Sequence, residues 1–166
     1  MNETKTVFIG SGAGFAGDRL DAGVPVVETL SRRDGPRYLI FEVMGERTLA
    51  IAQRIKMRDP SRGYSPYLDP YIRNVLKPAK DAGVRIVANL GNANPRAGAE
   101  KVLELAAELG VTGLRVAIVE GDNLLGFMSA DEIDGLETIE GKKSTARKSS
   151  PPMPIWAPGL WPPRST

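Results

Sequence analysis

Gly10-Ser11-Gly12-Ala13-Gly14-Phe15-Ala16-Gly17-Asp18-Arg19 lies between the apolar run Val7-Phe8-Ile9 and a stretch with helical periodicity. Strand, glycine-rich turn and helix in that order form the layout of a phosphate cradle. Glycine reaches positive φ at little cost and lets a ligand approach the backbone. A helix start beyond it presents free N–H groups to an anion. Gly12-x-Gly14-x-x-Gly17 also matches the dinucleotide spacing. The same glycines are equally expected if they only let a strand and a helix pack closely.

Working outward, the chain alternates strand and helix patterns. Thr6–Ile9 reads as a first strand, and a helix beginning at Asp21 or Gly23 carries Pro25 in its first turn, where a missing N–H is harmless. Tyr38–Val43 is a second strand, apolar almost throughout, as in a sheet covered on both faces. A helix from about Arg47 to Arg58 is expected to bury Leu49, Ala50, Ile51 and Ile55. Ser65 is placed as the N-cap of a further helix with Pro66 at its first position. Tyr67, Leu68, Tyr71, Ile72, Val75 and Leu76 recur along it at helical spacing, so the tyrosines read as packing rather than as a base-stacking platform. Pro78 is expected to kink or interrupt that helix, and Gly83 to end it. Val84–Leu90 is a third strand. Asn94-Pro95 caps a helix running to about Leu109, with Val102, Leu103, Leu105, Ala106 and Leu109 as its stripe and Gly110 as its stop. Leu114–Val119 is a fourth strand, and Ser129-Ala130-Asp131-Glu132 is a capping box for a last short helix.

The expected fold class is therefore α/β: an incomplete, Rossmann-like parallel sheet of about four strands with helices on both faces. An open doubly wound layout is favoured over part of a barrel, because four strands cannot close a (β/α)₈ barrel. In either layout ligands sit beyond the carboxyl ends of the strands. That edge collects the Gly10–Gly17 loop, Glu42 and Glu46, Asn89 with Asn92 and Asn94, and Glu120 with Asp122.

Composition narrows the chemistry. The 166 residues include no cysteine and no histidine, which removes a disulfide framework, a thiol nucleophile and the commonest general base. Acid–base work would fall to Asp, Glu, Lys or Tyr. A 42% hydrophobic content supports a core, and no apolar run approaches the roughly 20 residues of a membrane span. The amino-terminal MNETKTVFIG lacks the pattern of a signal peptide, so a cytoplasmic location is expected, with no membrane partner. Of 22 basic side chains, Lys142, Lys143, Arg147, Lys148 and Arg164 lie in residues 142–166, which hold no acid. The first 141 residues thus carry 17 basic and 20 acidic groups, interleaved as on a solvated face, and no nucleic-acid partner is expected.

Each candidate has a structural alternative. Glu42 stands where dinucleotide folds keep an acid for the ribose, but about 30 residues beyond the glycine turn rather than the usual ~20. Its alternative role is capping the next helix. Asn89, Asn92 and Asn94 suit turns and caps, with Asn94 explained as an N-cap. Glu120 and Asp122 are the weak candidates for a divalent cation beside a phosphate, and a plain loop explains them as well.

The blocks IGSGAGFAGDRLDA, YLIFEVMGERTLAI, DPSRGYSPYL, GVRIVANLGNANP and VAIVEGDNLL, in that order from about Val7 to Leu125, resemble the acyclic terpene utilisation family, AtuA type. The resemblance implies a part in citronellol and geraniol breakdown through acyl-CoA intermediates. It implies no settled reaction and supplies no catalytic residue. The positions matching its motifs, Gly10, Gly12, Gly14, Asp18, Arg19, Glu46, Arg47, Asn89, Asn92 and Asn94, are candidates for binding a phosphate or other ligand. Pro95, Gly121 and Asp122 match as well. The implied ligand is a CoA ester or a nucleotide, held by backbone N–H groups with Arg19 or Arg47 as counter-charge.

Residues 1–141 are accordingly read as a partial AtuA-type domain, and residues 142–166 as a basic, proline-rich, disordered tail. With GC-rich codons, the stretch from Lys148 to Gly159 read in a shifted frame spells VSANAYLGAG, which resembles a family segment. The tail is therefore expected to be frameshifted, and the chain to be truncated and inactive. Two other readings stand beside this one: half of an NAD(P)-binding oxidoreductase, and a non-enzymatic interaction module that uses the proline-rich tail.

Overall fold

A computed structural model describes residues 6–123, 127–137 and 141. The chain divides into two units, Met1–Ile118 and Val119–Thr166. The proline-rich tail, residues 142–166, lies outside the described residues.

In the first unit the elements run β1 (Phe8–Ala13), α1 (Gly23–Ser31), β2 (Arg37–Phe41), α2 (Glu46–Arg58), α3 (Leu68–Asp81), β3 (Arg85–Ala88) and α4 (Pro95–Glu108). The three strands form a parallel sheet in the order β1-β2-β3, with Gly10 opposite Leu39 and Leu39 opposite Ile86. The register of β1 slips between Ser11 and Ala13. The α/β class therefore holds, with three strands where about four were expected.

The expected fourth strand, Leu114–Val119, is not a strand. Its residues have strand propensity, but Arg115 to Val119 are exposed and belong to no ladder. Propensity for β structure reflects fit to neighbouring strands more than a preference of the backbone alone. The third strand is also shorter than Val84–Leu90.

Helices do not flank both faces of this sheet within the first unit. The helices on it are α1 and α3, which also pack on each other, and α4 packs on α3. A right-handed crossover puts its helix on one face as long as the sheet grows in one direction. Three strands in sequential order contain no reversal. The opposite face carries Ile9, 65% exposed, and Val87, 50% exposed; Ile40 of β2 lies between Ser11 and Val87 in the register. Helix α2 instead forms a small cluster of Leu49 and Ala52 with Ala93 and Met44, at the carboxyl edge of the sheet. Ile51, expected inside, is exposed there; Tyr67, just before α3, and Leu103 on α4 are likewise exposed.

The core joins Leu39 and Phe41 of β2 to Val27 and Leu30 of α1 and to Tyr71, Val75 and Leu76 of α3. The Phe41 and Tyr71 rings lie 5.2 Å apart between centroids. Several helix ends follow the signals of the sequence. The Asn94 side chain caps α4 through Ala97 N–H, and Gly83 and Gly110 take positive φ after α3 and α4. Ser65 differs: its hydroxyl accepts from Tyr67 N–H in a turn, and α3 begins only at Leu68. Pro78 does not interrupt α3, which runs on to Asp81. It stands within the last turn, so its missing N–H leaves only one helical bond unmade. In the second unit α5 (Ala130–Asp134) starts with the expected capping box: Ser129 N–H donates to Glu132 Oε2 at 2.7 Å, and Glu132 N–H donates to Ser129 Oγ at 3.3 Å.

Gly10 and Gly12 lie inside β1 rather than in the loop after it. A Cβ at Gly10 would collide with Val26 of α1, and one at Gly12 would sit 2.6 Å from Cε1 of the buried Phe41 ring. A Cβ at Gly14 would meet nothing within 4 Å. Gly12→Ala should therefore lower unfolding free energy by about 1–3 kcal/mol, the usual effect of overpacking a core. Gly14→Ala should stay within about 0.5 kcal/mol, as at other unobstructed surface sites. Urea unfolding of the two variants checks the difference. Pro78→Ala restores a helical N–H and should stabilise the chain by about 1–3 kcal/mol in the same assay.

Candidate functional site

Three chain segments leave the carboxyl ends of the strands: the loop from Gly14 to Ala22 after β1, Glu42 to Gly45 after β2, and Asn89 to Asn94 after β3. The last two are joined by Asn89. Its Oδ1 accepts from Val43 N–H at 2.8 Å, and its Nδ2 donates to Glu42 Oε1 at 2.9 Å. Met44 N–H donates to the same carboxylate oxygen at 3.2 Å. Glu42 N–H donates to Ala13 C=O at 3.2 Å, which ties its backbone to the end of β1. Glu42 is exposed, with one oxygen fixed by two donors and Oε2 without a hydrogen bond among the described residues. A carboxylate oriented in this way suits accepting a ligand hydroxyl or a proton.

The loop after β1 is clasped by its own acid. Asp18 Oδ2 accepts from Gly14 N–H at 3.1 Å, and Oδ1 accepts from Arg19 N–H at 2.7 Å. Asp18 N–H closes a turn on Phe15 C=O at 3.2 Å. From α3, the Tyr71 hydroxyl donates to Asp18 C=O at 2.6 Å, and Asn74 Nδ2 donates to Leu20 C=O at 3.2 Å. Burial, then the nearby Asp18 charge, raises the Tyr71 pKa, which keeps the phenol protonated as a donor. The α1 helix starts at Gly23, well after Gly17, so no helix N-terminus adjoins the glycines. Arg19 is already paired with Asp21 at 2.8 Å. Its hydrogen bond to Asp21, and then their opposite charges, raise the arginine pKa; the same hydrogen bond is the main cause that lowers that of Asp21.

The remaining candidates fall into separate surroundings. Asn94 is 7% exposed and fully used: Nδ2 donates to Pro60 C=O at 2.8 Å and Arg62 C=O at 2.7 Å, while Oδ1 caps α4. Asn92 takes φ +44°, a left-handed conformation that asparagine tolerates in turns, and its Oδ1 is buried without a partner among the described residues. Glu46 and Arg47 are exposed in the first turn of α2. Glu120 and Asp122 are exposed and belong to the second unit. Among the described residues no group of three or more acids could hold a metal ion. No helix there is long and apolar enough to cross a membrane.

The structure thus gathers Glu42 and Asn89, which sequence placed at neighbouring strand ends, and holds Asp18 against Gly14. It separates Gly10, Gly12 and Asn94 into packing and capping roles. Sequence reasoning missed Tyr71 and Asn74 as anchors of the loop. Their spacing marks a helix face, and nothing local to them points to a loop more than fifty positions earlier.

No curated protein and no solved structure matches the chain. A family model does: that of the acyclic terpene utilisation family protein AtuA, over residues 7–157. The match covers most of the chain, from the start of β1 past α5, and so takes in all three strand ends that build the carboxyl edge. The chain belongs to the acyclic terpene utilisation family, AtuA type.

Proposed function

We propose that this protein takes part in acyclic terpene breakdown by holding an acyl-CoA thioester at the carboxyl edge of its parallel sheet. The observation that carries the reading is the Glu42–Asn89 pair, an exposed carboxylate oriented by two strand ends at the edge where α/β sheets bind ligands. Family membership supports a part in terpene utilisation in general. Acyl-CoA esters are the natural activated form for carbon-chain breakdown, and they bring hydroxyl, amide and phosphate groups to such an edge. In this reading Glu42 Oε2 accepts a ligand hydroxyl. Arg47, exposed and without an ion pair among the described residues, provides the counter-charge for a phosphate. Arg19 is a poorer choice because Asp21 already neutralises it.

Glu42→Gln tests this reading, because the amide keeps an oxygen for Asn89 and Met44 while losing the charge. Calorimetric titration with an acyl-CoA should show affinity reduced about tenfold, the scale of a charge-assisted hydrogen bond. The thermal midpoint should stay unchanged, since the side chain is exposed. Equal affinity in the two proteins would remove Glu42 from the site.

A further inference from the structure

The loop after β1 has the glycine content of an anion cradle, yet its Gly14 and Arg19 donors are already engaged. Gly14 N–H and Arg19 N–H both end on the Asp18 carboxylate, and the Arg19 guanidinium ends on Asp21. A phosphate seated on these donors would have to expel the Asp18 carboxylate and lie beside that of Asp21, against like charge. Beside the exposed Arg19–Asp21 pair, the loop also turns two apolar side chains outward: Phe15 is 60% exposed and Leu20 is 39% exposed.

These two side chains do not stand on a loose segment. The Asp18 clasp closes the turn that carries Phe15, and Tyr71 and Asn74 fix the backbone on either side of Arg19 from α3. Tyr71 is itself fully buried against Phe41 of the central strand. Single exposed apolar residues are ordinary on protein surfaces. Here two of them share one loop that is pinned at four points and opens at the ligand-binding edge of the sheet. Ordering a loop costs conformational entropy. Phe15 and Leu20 recover only part of it by burial in the free protein, whereas a bound apolar chain would cover the remainder.

We propose that the Gly14–Ala22 loop recognises the apolar acyl chain of the ligand through Phe15 and Leu20, and that it is not the phosphate site. The inference deepens the acyl-CoA reading and rests on it. It assigns the branched, unsaturated hydrocarbon part of an acyclic terpenoid thioester to this loop and leaves the phosphates to another part of the edge. Asp18 is a positioning residue in this arrangement: it holds the loop closed and fills the seat that a phosphate would otherwise take.

The test compares free CoA with a branched ten-carbon prenyl acyl-CoA, titrated calorimetrically into the full chain, Phe15→Ser and Leu20→Ser. Both substitutions fall on exposed side chains, and matching circular dichroism spectra verify the folds. The wild-type chain should bind the prenyl thioester more tightly than CoA. Each variant should lose about fivefold in affinity for the thioester, the scale of one apolar contact removed, with CoA affinity unchanged. Equal wild-type affinity for the two ligands, equal losses on both ligands in the variants, or no loss at all would overturn the assignment while leaving the CoA site in place. Absence of binding to either ligand would overturn the acyl-CoA reading and this inference together. Amide resonances give a second, independent measurement. Inorganic phosphate should leave Gly14 and Arg19 unshifted, and saturable shifts at both would return the loop to anion binding.

Discussion

The contact between Phe41 and Tyr71 holds this fold and its candidate site in one arrangement. Phe41 ends the central strand and is 1% exposed; Tyr71 sits on α3 and is fully buried. The Phe41 ring occupies the space that a side chain at Gly12 or Gly23 would need, so β1 and α1 can approach β2 only because both positions are glycine. On its other side the ring meets Tyr71, whose hydroxyl reaches Asp18 C=O in the loop after β1. One aromatic pair therefore joins the packing of α1 and α3 on the sheet to the loop at its edge. Such pairs contribute about 0.5–1.5 kcal/mol beyond the area they bury.

The polar architecture at the carboxyl edge is built from the same economy. Asn89 leaves the ladder after β3 and spends its amide on Val43 N–H and Glu42, which joins two strand ends. Asp18 does for the first loop what Asn89 does for the second, satisfying backbone donors that would otherwise face the crevice. Asn94 is used up in a third turn, where it fastens the 60–62 segment and caps α4. Buried and half-buried polar groups need partners, and at this edge the partners are largely local. Glu42 Oε2 and the Arg47 guanidinium stand out against that background because neither has a partner among the described residues.

The open face of the sheet follows from topology. Sequential strands with right-handed crossovers put α1 and α3 on one side. Ile9 and Val87 are left on the other side of the first unit, and β1 and β3 are its edge strands. Unpaired strand edges and exposed apolar rows are surfaces that proteins normally cover or blunt. The Leu114–Val119 segment has the composition of a further strand, but pairing rather than composition makes a strand.

By itself the sequence determined what depends on neighbours along the chain. The alternation of apolar runs, the Asn94-Pro95 cap, the Ser129–Glu132 box and the left-handed stops at Gly83 and Gly110 are set by hydrogen bonds and dihedrals within a few residues. Those signals made the α/β class, most helix limits and the carboxyl-edge position of Glu42 and Asn89 legible. Only the tertiary structure decided whether Gly10 and Gly12 serve a ligand or a neighbouring side chain, because that depends on where Val26 and Phe41 lie. It also decided that Asp18 fills the glycine loop, that Tyr71 holds that loop from α3, and that Leu114–Val119 finds no ladder. A glycine motif records only that the backbone has room; what takes up that room is fixed by residues distant in sequence, which only the packed fold brings near.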